Sequence, residues 1–444
     1  MSHYKPYPAY KDSGVEWIGP VPEHWDVMRL RHVAAFKNSN VDKKIYDGQE
    51  TVSLCNYTDV YYNEFITSNL PFMQATASPA EIEQFTLKKG DVIITKDSED
   101  PSDIGIPALV AEALPGVVCG YHLTMIRGAD FVTARLLHRA IQSRPTQAHF
   151  FVEAPGITRY GLSQDAIGDL PLCIPPEDER YALTNQIDRE TARIDALITK
   201  KTRFIELLKE KRQALITHAV TKGLDPNVKM KDTGVEWIGE VPEHWTITKL
   251  KHVSRALIGL TYAPEDVVTD GKGITVLRSS NIQGGQLDLA DIVQVRTVVD
   301  PELMVRVGDI LICSRNGSRA LIGKNIQLDE RSLGCTFGAF MTVVRGSFND
   351  FLYYVFNSTM FDANSALYMT STVNQLTISM IANMEVPLPP EDEQRAIVSR
   401  LGKGLSSLDA LLFKTQRSID LLKERRAAFI TAAVTGQIDL RESA

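Results

Sequence analysis

The stretch KDSGVEWIGPVPEHW, Lys11 to Trp25, returns as KDTGVEWIGEVPEHW, Lys231 to Trp245, with two substitutions. A second passage, IPPEDERYALTNQIDRETARIDALITKK from Ile174, returns from Leu388 as LPPEDEQRAIVSRLGKGLSSLDALLFKT. The offset is 220 residues for the first pair and 214 for the second. Fainter traces lie between them: KKGDVIITK (Lys88–Lys96) aligns with RVGDILICS (Arg306–Ser314), and MIRG ending at Gly128 with VVRG ending at Gly346. Each half is thus a constant head, a variable middle and a constant tail. A two-fold repeat of roughly 200 residues is not a solenoid, whose units are several times shorter. The pattern predicts a pseudo-two-fold dimer fused in one chain.

The tails read as long helices. Both open on Pro-Pro-Glu-Asp-Glu, with prolines at the first turn and acids at the positive end of the helix dipole. Apolar residues then recur at the three-and-four spacing of a coiled-coil seam. In the first tail they are Ile187, Ile194, Ile198, Ile205, Leu208 and Leu215; in the second, Val398, Leu401, Leu405, Leu408, Leu412, Ile419 and Leu422. The polar interruptions coincide, Lys201 with Thr415 and Arg212 with Arg426, as expected of positions that set register in a helix pair.

The middles carry β-rich runs (GDVIITK, GDILICS, FMTVVRG) divided by Gly, Pro, Asn and Asp clusters, followed by short helical patterns. The fold class is therefore α+β. The expected domains are residues 1–173 with the repeated head at 11–33, helix 174–222, residues 223–387 with the second head at 231–253, and helix 388–444.

Composition narrows the function classes. No run of 18 apolar residues spans a membrane, and an N-terminus without an apolar core points to a cytoplasmic protein. The five cysteines are scattered without a C-x-x-C pair, so neither a disulfide framework nor a zinc site is expected. The net charge of −7 divides into −6 for residues 1–173, +2 for 174–222, −4 for 223–387 and +1 for 388–444. A nucleic-acid partner would then be held largely by a local basic face or by a basic partner protein. The most nuclease-like string, Asp91 to Lys96, loses its lysine in the second copy and reads as a turn acid entering a strand. No phosphate loop, H-E-x-x-H or methyltransferase loop occurs, and His24 and His244 read as packing residues. No catalytic residue and no metal site is expected.

The order of head, variable middle and helix, twice over, resembles the specificity subunit of type I restriction–modification systems. The heads GVEWIGPVPEHW and GVEWIGEVPEHW, the approaches to the two Pro-Pro-Glu-Asp-Glu strings, and the tails LLKEKRQALITHAVTKG and LLKERRAAFITAAVTGQIDL carry the resemblance. One departure is Arg180-Tyr181 where the second copy has Gln394-Arg395. The resemblance implies two target-recognition domains, each reading half of a split site on double-stranded DNA, and two long helices paired as an antiparallel coiled coil. It implies docking of two methyltransferase subunits and, through them, of restriction (motor-nuclease) subunits. This chain would carry no cofactor; S-adenosylmethionine, ATP and Mg would sit on the partners. A specificity chain of a system without a motor, a coiled-coil interaction scaffold and a hidden nuclease are the alternatives.

Base readers are expected among polar loop residues. In the first domain these are Asn56, Tyr57, Lys96, Ser98, Tyr121, His122, Arg159 and Tyr160. In the second they are Arg278, Ser279, Asn281, Arg315, Asn316, Arg319, Asn374 and Gln375. Because VTKGLDPNVKMKDTGVEWIG joins the halves while the chain's two ends look like the same junction cut open, the termini are expected to lie together. Each helix, about 42 residues or ~63 Å long by pattern, is expected to act as a ruler between half-sites.

Overall fold

The computed structural model describes residues 4–368 and 375–441. The chain divides into two compact units, Met1–Thr202 with Arg417–Ala444, and Arg203–Gln416. Each unit holds one head, one variable middle and a portion of both long helices. The expected approach of residue 444 to residue 1 falls outside the described residues. Just inside the ends, however, the Asp439 N–H donates to the Lys5 carbonyl at 2.8 Å, and the Tyr10 hydroxyl to the Gly436 carbonyl at 3.1 Å.

In the first unit a five-stranded sheet runs in the order Ala34–Asn38, Leu123–Gly128, Asp91–Thr95, Pro107–Val110, Phe65–Ile66. A second sheet places Glu50–Cys55 between Val117–Cys119 and Met73–Ala77. Strand Asp91–Thr95 is buried along its whole length. Its side chains alternate between faces as a pleat requires. Val92 and Ile94 join the core that includes helix Phe131–Ile141 and both long helices, while Ile93 joins the core formed with Glu50–Cys55 and Val117–Cys119. A strand buried on both faces explains why GDVIIT reads as a continuous apolar run rather than an alternating one.

The second unit repeats the plan. Ser254–Ile258, Met341–Gly346, Ile310–Cys313 and Asn325–Gln327 form one sheet; Val267–Val268, Val293–Val295, Ile274–Leu277 and Thr336–Phe337 form the other. Ile310 and Ile312 face one core, Leu311 and Cys313 the other. Asp91 and Asp309, only 1% and 2% exposed, occupy the same place at the start of the central strand. Each receives both Nε and Nη2 of an arginine, Arg127 at 2.6 and 2.7 Å and Arg345 at 2.9 and 2.6 Å. The two faint sequence traces, Gly-Asp and Arg-Gly, are therefore the two ends of one ion pair whose carboxylate is buried.

The constant head and tail are one structural piece. A hairpin, Tyr10–Asp12 with Pro20–Pro22, leads into strand Asp26–Arg29, which pairs antiparallel with Pro171–Ile174 immediately before the helix. Met230–Asp232, Glu240–Pro242 and Thr246–Lys249 do the same with Glu385–Leu388. The fully buried Trp25 and Trp245 donate their indole N–H to the third acid of each Pro-Pro-Glu-Asp-Glu string, Glu179 at 3.2 Å and Glu393 at 2.9 Å. His24 and His244 reach the same carboxylates at 2.8 and 2.5 Å. The packing role read for these histidines is thus a polar one, anchoring head to helix. Gly436 closes the second helix against the first head at φ +68°, where a Cβ would lie 2.2 Å from Pro22; only glycine fits there.

The long helices span Glu177–Lys222 and Glu391–Val434, 46 and 44 residues. In the first unit Ile187, Ile194 and Ile419 are buried, and Ile198 and Leu422 half-buried. In the second, Leu208, Leu401 and Leu405 are buried, and Ile205, Val398, Leu408 and Leu412 half-buried. Leu215 departs from the others: it is 41% exposed, and the neighbouring Ile216 takes the fully buried place beside Ala219 and Val220. A strict heptad drifts around a helix of 3.6 residues per turn, and near its end the first helix turns its core face toward the recognition domain instead.

Candidate nucleic-acid interface

The eight polar loop residues of the first domain converge at one end of its two sheets. Parallel pairing of Val117–Cys119 with Glu50–Cys55 brings Gly120 to Cys55, whose carbonyl accepts the Gly120 N–H at 2.9 Å, and so sets Asn56 and Tyr57 beside Tyr121 and His122. Beyond the central strand the Lys96 N–H donates to the His122 carbonyl at 3.1 Å, and the Leu162 N–H to the Lys96 carbonyl at 2.8 Å. Strand Tyr160–Gly161 pairs with Asp97–Ser98. Four chain segments remote in sequence thus form one cup.

Its side chains are charged and aromatic. His122 Nδ1 stands 2.6 Å from Asp97 Oδ2, and a guanidinium nitrogen of Arg159 lies 3.0 Å from the same ring nitrogen. Arg159 is more than half exposed. The Tyr121 ring lies 3.6 Å from that of His122, and Tyr57 stacks on Tyr61 at 5.5 Å. The Tyr61 hydroxyl, donating to Asp103, is pushed up to about 12 because ionisation would forfeit that bond and set two negative charges together. Ser98 is nearly buried and its hydroxyl accepts the Asp100 N–H at 3.1 Å, a loop-shaping task.

The second domain builds the same cup from different residues. The Gly338 N–H donates to the Leu277 carbonyl at 3.0 Å, Ser314 N–H to Phe340 at 3.0 Å, and Leu376 N–H to Ser314 at 2.8 Å, the repeat equivalents of the three bonds above. Arg315 bridges Gln375 as Asp97 pairs with Gly161, and its guanidinium lies 5.2 Å from the centre of the Phe340 ring. Asn316 Nδ2 donates to Ser279 Oγ at 3.2 Å. A cleft of about 570 Å³ opens between Tyr262, Arg278, Ser280 and Phe340. Arg278 pairs with Asp291 at 2.9 Å. Arg319 is exposed in the neighbouring turn Arg319–Leu321.

One of the expected readers is placed otherwise. Asn281 is 1% exposed, its side-chain nitrogen donating to the Asp288 and Asp291 carbonyls at 2.9 and 2.8 Å; it holds the loop together and has no amide donor to offer a base. Asn374 lies outside the described residues. Asp97 and Phe340 are central to the two cups and escaped the sequence reading. Aligning TKDS with CSRN and GYH with GAF at the 218-residue offset would have flagged both. Among the described residues no three His, Cys, Asp or Glu side chains group to hold a metal ion, and no helix is long and apolar enough to cross a membrane.

Residues 242–419 match the family described as type I restriction modification DNA specificity domain. The chain is 28% identical over 207 residues to the specificity subunit of the type I restriction enzyme EcoKI of Escherichia coli K12, covering 45% of this chain and 44% of that one. A similar subunit, StySPI of Salmonella potsdam, is 26% identical over 207 residues, covering 45% and 44%; the matches thus span less than half the length of these two relatives. The MjaVIII specificity subunit of Methanocaldococcus jannaschii is 23% identical over 429 residues, 95% of this chain and 94% of that one. The fold matches a chain from a structure on complex assembly and conformational transition of a type I restriction–modification system, with TM-score 0.71 and 17% identity, covering 94% of this chain and 99% of that one. Repeated heads and these similarities agree: residues 242–419 match the type I restriction modification DNA specificity domain, and nearly the whole chain is similar to specificity subunits of such systems.

Proposed function

We propose that the chain recognises DNA within a type I restriction–modification complex, each unit reading one half of a split, asymmetric site. The observation that carries this reading is the pair of equivalent cups. The same backbone hydrogen bonds hold a carboxylate, an imidazole and a guanidinium in one unit, and a guanidinium over a phenyl ring beside amides in the other. Duplicate catalytic sites would keep the same chemistry; readers of different bases keep the scaffold and change the side chains, because each base pair shows its own donor and acceptor pattern in the major groove. The domains for this task are residues 1–173 and 223–387, with helices 174–222 and 388–444 as spacer.

The repeated heads and helix starts offer two like surfaces for two methyltransferase subunits, and through them for restriction subunits. This chain is then non-catalytic, and the partners bring S-adenosylmethionine for adenine methylation and ATP with Mg for cleavage. They also supply much of the phosphate attraction, since the chain itself is acidic. The test is duplex binding by the complex reconstituted with its methyltransferase. Arg315→Ala should weaken binding by about 1–3 kcal/mol and cancel discrimination at one half-site only. Unchanged affinity and preference would remove this cup from the interface.

A further inference from the structure

The two heads are alike in sequence but unequally covered. In the first unit, Glu179 receives Trp25, His24 and also the hydroxyl of Tyr7. Tyr7 belongs to KPYP, which precedes the repeat; it is 3% exposed, its ring 5.6 Å from that of His24 and 5.7 Å from that of Trp25, with the Arg441 guanidinium 4.8 Å from its centre. Under this cover the Glu179 side chain is 6% exposed. At the corresponding place in the second unit the chain has Asn227, which is exposed. Glu393 still holds Trp245 and His244, but its side chain is 42% exposed.

Beside Glu393 opens a cleft of about 280 Å³ lined by Asp225, Val228, Pro242, His244, Glu393 and Ala396. Three of these, Asp225, His244 and Glu393, are the repeat equivalents of Asp439, His24 and Glu179, which surround Tyr7. Cavities of about 150 Å³ accept a benzene ring, so there is room for an aromatic side chain. A carboxylate on its wall is the acceptor a phenol hydroxyl seeks. We propose that this cleft docks a tyrosine presented by an extended segment of a partner protein, as KPYP presents Tyr7 in the first unit. A second copy of this chain is the poorer donor, because its own Tyr7 is buried and its arm is tied by the bond between Lys5 and Asp439. The inference rests on the repeat geometry and is independent of DNA reading.

The probe is a labelled synthetic peptide of residues 1–10, MSHYKPYPAY, titrated against the full chain by fluorescence anisotropy. Saturable one-to-one binding is expected, weakened at least about tenfold when the peptide carries Tyr7→Ala and less when it carries Tyr7→Phe, which keeps the ring but loses the hydroxyl. Ala396→Phe in the protein, which fills the cleft while leaving Glu393 in place, should weaken binding as much as Glu393→Ala. Absence of saturable binding up to about 1 mM, indifference to the peptide's Tyr7, or indifference to Ala396→Phe overturns the proposal. So does a dimer of the full chain in sedimentation that Ala396→Phe dissociates, which would assign the cleft to a second copy.

Discussion

Arg212 Nε lies 3.1 Å from Asp409 Oδ1, and their repeat equivalents, Arg426 and Asp195, lie 2.9 Å apart. The arginines are the two matched interruptions of the apolar seam, so the same polar contact joins the two long helices within each unit. The pairs differ in surroundings. Arg426 also reaches Glu64 of its recognition domain at 2.5 Å, and its side chain is 17% exposed against 29% for Arg212. Arg212→Ala should cost about 0.5–1 kcal/mol, as for a half-exposed pair, and Arg426→Ala about 2–3 kcal/mol, because Glu64 and Asp195 both lose a partner. Thermal unfolding followed by tryptophan emission checks the order; equal losses would contradict it.

The two head anchors should also differ. Glu179→Ala leaves the buried Trp25 indole and the Tyr7 hydroxyl without their acceptor, a loss of about 2–4 kcal/mol. Glu393→Ala, at a carboxylate open to water, should cost about 1 kcal/mol. Urea unfolding of the two variants tests this, and a larger loss for Glu393→Ala would contradict the asymmetry of the heads.

Asp91 and Asp309 are structural ions. Asp91→Ala leaves Arg127, about one-third exposed, able to turn to water and should destabilise the first unit by about 1–3 kcal/mol, whereas Asp309→Ala strands the less exposed Arg345 and should cost about 3–5 kcal/mol. Hydrogen exchange resolved by unit reads the effect. A stable Asp91→Ala protein that had lost a Mg-dependent nicking activity would instead return this string to catalysis.

All five thiols are buried. Burial pushes Cys173 up to about 12 and raises Cys55, Cys119, Cys313 and Cys335 as well. Since the thiolate is the reactive form, the native chain should resist a thiol reagent at about pH 8, close to the ordinary cysteine value, and take up five equivalents once unfolded. Rapid labelling of the native chain would contradict this.

The repeat made much of this fold legible. Duplicated heads and tails announced two units, and the Pro-Pro-Glu-Asp-Glu strings marked both helix starts. What escaped the sequence depends on contacts between distant residues. Nothing local tells Glu179 that Trp25, 154 residues earlier, will lie against it. Asn281 looks like any polar loop residue until the turn closes over its amide. The repeat alignment points to Asp97 and Phe340, but only the fold shows that Gly161 lies beside Asp97 and Gln375 beside Arg315. Leu215 fits the seam by spacing, yet the helix phase gives the buried place to Ile216.

The central claim is that the two cups read DNA separately. Sequencing methylated adenines in cells carrying the chain with its methyltransferase tests it most directly. The account predicts a split target with a fixed unread gap. His122→Ala with Arg159→Ala should relax one half of that target, and Arg315→Ala with Phe340→Ala only the other. A heptad inserted after Thr199, ~10 Å of added helix, should widen the gap and leave both halves unchanged. A continuous target, or variants of one cup that alter both halves, would contradict the account.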